Sequence, residues 1–95
     1  MSSPGYVWEK MYVAIDCMCG RGSLAERIEN AATAALIRLN ETDLEGGDLR
    51  EDLEYVLNWT KHNVRGGKVI KLPDDVEHEQ LIKKMLHILL ETHEA

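Results

Sequence analysis

Three glycine joints divide this chain of 95 residues into four stretches, and that punctuation constrains the fold more than any other feature. The joints are Gly20-Arg21-Gly22-Ser23, the pair Gly46 and Gly47, and the pair Gly66 and Gly67. Between them, apolar residues recur at three- and four-residue steps, the period of a helix with one buried face. The spacing therefore predicts an all-α fold: four short helices sharing a core in a compact bundle-like domain that spans residues 1–95. The loops are short, with one longer connection over 63–72.

The first stretch starts after Ser3 with Pro4 at a favoured first helical position. It carries Val7, Trp8, Met11, Tyr12, Ile15, Met18 and Cys19 in helical register, while Val13, Ala14 and Cys17 fill much of the remaining circumference. Only Glu9, Lys10 and Asp16 are charged in its body. A helix this apolar all round is covered on more than one side.

The second stretch opens with Ser23-Leu24-Ala25-Glu26, a capping box in which side chain and backbone satisfy each other reciprocally. Its stripe is Leu24, Ile28, Ala31, Ala32, Ala35, Leu36 and Leu39, with Asn40 as the expected end. The small residues at its centre permit close approach of a neighbour. The third stretch repeats the box as Asp48-Leu49-Arg50-Glu51 and turns Leu49, Leu53, Val56, Leu57 and Thr60 inward. Lys68 to Leu72 reads as an extended run, but one such run alone predicts no sheet. The fourth stretch begins at Pro73 or Asp74 and runs nearly to the end. It presents Val76, Leu81, Ile82, Met85, Leu86, Ile88, Leu89 and Leu90, with Glu79 and Lys83 as an i,i+4 ion pair.

A net charge of −6 argues against a general duplex-DNA binder, whose affinity rests on neutralising phosphates, and against docking on anionic lipid. The longest uncharged run, near residues 30–37, falls far short of the ~20 residues of a membrane helix. Met1, Ser2, Ser3, Pro4 and Gly5 lack the basic and apolar regions of a secretion signal. These readings lead us to expect a soluble cytoplasmic protein that needs no cofactor, with its two cysteines reduced.

Candidate chemistry is sparse. Cys17 and Cys19 are weak candidates for a metal or redox site, because thiolates are both ligands and nucleophiles. The chain has no second cysteine pair, and His62, His78, His87 and His93 lack the i,i+4 spacing that places two imidazoles on one helix face. Arg21 and Ser23, at a glycine joint before a helix start, outline an anion cradle. The acidic stretch from Glu41 to Glu54 has the alternation of a calcium loop at Glu41, Asp43 and Glu45, but Asp52 stands where the closing glutamate belongs. Lys61, His62, Arg65, Lys68 and Lys71 form a basic cluster, read as pairing with the acidic stretch of the same or another subunit. Each serine lies near the N-terminus or at a cap, and no Glu-x-x-His repeat occurs, so nothing proposes an enzyme.

The functional expectation is a small protein-interaction or regulatory module that self-associates as a homodimer. Its expected surface is built from Trp8, Met11, Tyr12, Ile15, Met85 and Leu89, since the first and fourth helices are more apolar than one small chain can hide. The alternative is a thiol or metal protein using Cys17 and Cys19.

Overall fold

The computed structural model describes residues 4–93. It contains the four helices α1 (Pro4–Met18), α2 (Leu24–Ala34), α3 (Asp48–Asn63) and α4 (Asp75–Thr92). A short antiparallel pair, β1 (Val64–Arg65) and β2 (Lys68–Val69), joins α3 to α4. The proposed start after Ser3 lies outside the described residues. In space α1 packs on both α2 and α4, and α3 packs on the other flank of α4. The radius of gyration, 12.3 Å, matches the ~12 Å of a compact chain this long.

Helical periodicity places the core. Val7, Met11, Ala14 and Met18 line the inward face of α1, and Leu81, Met85 and Ile88 that of α4. They meet Ile28 and Ala31 of α2, and Leu53, Val56 and Leu57 of α3, in one buried cluster. Ala31, Ala32 and Ala35 are almost fully buried, as close approach of α1 and α2 requires.

Two capping boxes set helix starts. At α2 the Ser23 hydroxyl accepts from the Glu26 amide and Glu26 accepts from the Ser23 amide, each at 3.1 Å. At α4 the same reciprocity links Asp74 and Glu77, at 2.8 and 3.1 Å. Replacing Asp74 with alanine is expected to cost about 1 kcal/mol, seen as a lower Tm. An unchanged melt would contradict the assignment of that cap.

Three features differ from the expectation drawn from sequence. The Asp48–Glu51 box does not form: Gly47, at φ +82°, is the N-cap and Asp48 lies inside the helix. Both carboxylates still complement the dipole of the first turn.

Helix α2 ends at Ala34 rather than Asn40, followed by 3₁₀ turns at Leu36–Arg38 and Glu41–Asp43. The Thr33 hydroxyl donates to the Glu29 carbonyl at 2.9 Å, a back-bond that competes with the α-helical ladder. The second turn carries its own box between Asn40 and Asp43. Leu39 and Leu44, at the two positions of a hydrophobic staple around it, are both buried.

The third difference is the hairpin. The extended run does find a strand, because Val64 pairs with Val69 and Arg65 with Lys68. Gly66 and Gly67 adopt φ +58° and +78°, the two positive values that a type I′ turn demands. The Val69 amide donates to Glu29 Oε2 at 2.8 Å and ties the hairpin to α2. The fold is thus mostly helical with a small two-stranded sheet, rather than wholly α.

Candidate functional site

The adjoining flanks of α1 and α4 carry the most apolar exposed surface of the expected site. Trp8 lies near the start of α1, yet its ring meets His93 just past the end of α4, with centroids 5.7 Å apart at 82°. The two helices therefore run antiparallel. One turn on, Tyr12 stacks on Trp8 at 5.5 Å and 29°. Ile15 continues the same flank and is partly buried against the core. On α4, Ile82, Leu86, Leu89 and His93 follow at helical spacing along the side that faces Trp8. Ile82 and Leu89 are half-buried, while Leu86 and Leu90 stand 40% and 71% exposed and Tyr12 54%. The result is a seam whose floor belongs to the core and whose rim is solvent-exposed and apolar.

Met11 and Met85 do not belong to that surface. Both are interior, at 0% and 2% exposure. They occupy the central inward positions of α1 and α4, where unbranched, adaptable side chains fill the irregular space beside the alanines of α2. Of the expected set, Trp8, Tyr12, Ile15 and Leu89 share the seam. Leu86 and Leu90 extend it. Their i,i+4 spacing was the signal that the sequence offered for them.

The opposite flank of α4 is polar. Asp52 of α3 lies 2.6 Å from His87 Nδ1 and accepts from Lys84 Nζ at 3.3 Å. Lys84 also sits 5.1 Å from the centre of the Tyr55 ring. Asp52, the residue that spoils the calcium-loop pattern, thus clamps α3 to α4. The hydrogen bond to Asp52 raises the His87 pKa above its ordinary value, aided by the charges of Asp52, Glu91 and Asp48 and opposed by desolvation.

A raised folded-state pKa means that this contribution is complete below the unfolded value, ~6.5, and fades as pH rises through the folded one. The imidazole is half-exposed, so the amplitude stays under about 1 kcal/mol. Wild type should therefore lose Tm relative to His87→Gln over the pH range that begins near the ordinary histidine value, ~6.5, and extends upward. Parallel melting curves across that range would contradict the link.

The thiols are not brought into a cluster. Cys17 is half-buried against the core and Cys19 is exposed. Burial, then the charge of Asp16, pushes the Cys17 pKa up, which keeps the thiol protonated and poorly nucleophilic. Among the described residues, no three His, Cys, Asp or Glu side chains converge as metal ligands would.

At the anion cradle the Glu26 carboxylate already takes the Ser23 amide, and its own pKa is lowered by that bond. An external anion beside Arg21 and Ser23 would meet that negative charge. The Arg27 guanidinium instead donates to the Met18 carbonyl at 3.1 Å and closes the end of α1, a role the sequence did not announce.

The basic cluster is likewise rearranged. Among the described residues, Lys61, Arg65, Lys68 and Lys71 form no salt bridge, so the expected pairing within the chain does not occur. The acidic residues turn to local partners, as Asp43 does at the Asn40 amide and Glu54 at Arg50. Beside Lys61 lies a groove of about 370 Å³ between α2, the turn after it, the end of α3 and the hairpin.

Comparison with protein-family models, curated proteins and solved structures found no match to this chain. Among the described residues, no helix is long and apolar enough to cross a membrane.

Proposed function

We propose that this protein is a small interaction module of the cytoplasm, one bundle-like helical domain that self-associates as a homodimer through the α1–α4 seam. The observation that carries this reading is the exposure of Tyr12, Leu86 and Leu90 beside the half-buried Trp8, Ile82 and Leu89 on the adjoining flanks of the two helices. Apolar surface of this kind gains by removal from water, at roughly 25 cal/mol per Å². A second copy offers the same surface, and a two-fold axis makes one patch self-complementary. No group in the seam is arranged for covalent chemistry, which favours a binding role over an enzyme. The thiol reading through Cys17 and Cys19 is the lesser one, since one thiol is held protonated and, among the described residues, no third ligand joins the two cysteines.

An amide-resonance dilution series tests the location of the interface. Tyr12, Leu86 and Leu90 should shift on dilution while residues 40–47 stay fixed. Shifts confined to residues outside the seam would refute this placement.

A further inference from the structure

The groove beside Lys61 shares no lining residue with the seam, and its chemistry differs. Leu36, Leu39 and Leu57 form an apolar inner wall and are themselves buried. The polar side chains of the lining need no ligand: Thr60 donates to the Val56 carbonyl at 2.8 Å and Thr33 to that of Glu29 at 2.9 Å. Lys61 is the one charged residue of the lining, is exposed, and has no salt bridge among the described residues. Ile37, at 67% exposure, forms part of the rim. Gly66 and Gly67 close the far side without side chains. A Cβ at Gly67 would already touch the Thr33 methyl at 3.6 Å, so any larger residue there would intrude on the mouth.

An apolar trough with a single unpaired cation asks for an apolar tail and one anionic head. We infer that this groove binds a short aliphatic carboxylate, its chain along Leu36, Leu39 and Leu57 and its carboxylate at Lys61. The volume lies at the lower end of the ~300–1,000 Å³ of small-molecule sites, which favours a short chain over a long lipid. Charge supports the same choice. On the adjoining hairpin the charge of Lys68 is shared with Glu26 and the Glu29 carboxylate holds the Val69 amide, whereas Lys61 and Arg65 have no salt bridge among the described residues, which leaves Lys61 as the cation that selects the head group.

The test titrates the intact protein at low ionic strength with octanoate, octan-1-ol and octylamine, which share a tail and differ in the head. Amide resonances report the site. Octanoate should bind tightest and shift Ile37, Lys61, Gly66 and Gly67, while octylamine should bind weakest of the three. Lys61→Met should weaken octanoate about fivefold, the upper end of one exposed ion pair, and leave octan-1-ol unchanged. Ile37→Asp, a change at an exposed site, should abolish octanoate binding with the fold intact. The inference is overturned by equal binding of octanoate and octylamine, by an octanoate affinity indifferent to Lys61→Met, or by shifts centred elsewhere. Binding of a short peptide with an aliphatic C-terminus in the absence of octanoate binding would overturn it too.

Discussion

Met11→Ala should lower the stability of the folded chain by about 2–5 kcal/mol, the range found when a large buried side chain is cut to alanine. For a domain this small that corresponds to a fall of roughly 10 °C or more in Tm. The reason is geometric. Met11 has no exposed surface and sits where α1 faces both α2 and α4, so truncation leaves a cavity that three helices would have to collapse to fill. The total stability of a domain is only about 5–15 kcal/mol, so this one change removes a large share. Leu90→Ala is the matched control. Leu90 is 71% exposed, and its loss should move monomer stability by no more than about 0.5 kcal/mol. A Met11→Ala protein that melts like wild type would mean that the core is wrongly placed.

The second large effect concerns assembly. Leu90→Glu should weaken self-association by at least about thirtyfold, the effect of losing an interface residue worth some 2 kcal/mol. A carboxylate within an apolar contact must either be desolvated or hold the contact apart. The same substitution leaves the monomer intact, because position 90 faces solvent. Sedimentation at matched concentrations separates the two consequences. Unchanged association with an unchanged melt would remove Leu90 from the interface.

The parts of this structure legible in the sequence are those governed by local rules. Ser23 with Glu26 made a capping box because both halves of that device lie within one turn. Gly66 and Gly67 marked a turn because only positive φ suits it. Helical period found nearly all of the core. What stayed hidden depended on competition or on distant partners. Asp48 and Glu51 had the right spacing, but the glycine before them took the cap position. Thr33 looked like an ordinary helical residue, and its back-bond matters only where the helix is about to end.

Period alone places a residue on a face, not at a depth. Met11 and Tyr12 are neighbours in sequence on one apolar helix, and one is wholly buried while the other is half-exposed. They point about 100° apart on a helix that is apolar all round, and the positions of α2 and α4 decide which of the two faces is covered. Pairings between helices, such as Asp52 with Lys84 and His87, span more than thirty residues and leave no local trace. The same is true of the groove, whose walls come from four elements. Its one charged lining residue was visible as part of a basic cluster, but the missing counter-charge was not.

In the function proposed above, the exposed apolar flank of α1 and α4 meets a second copy. Sedimentation equilibrium of the unmodified protein over a wide concentration range tests it most directly. The mass should climb from the 10.8 kDa of one chain toward twice that value as concentration rises. A mass fixed at one chain throughout would contradict it.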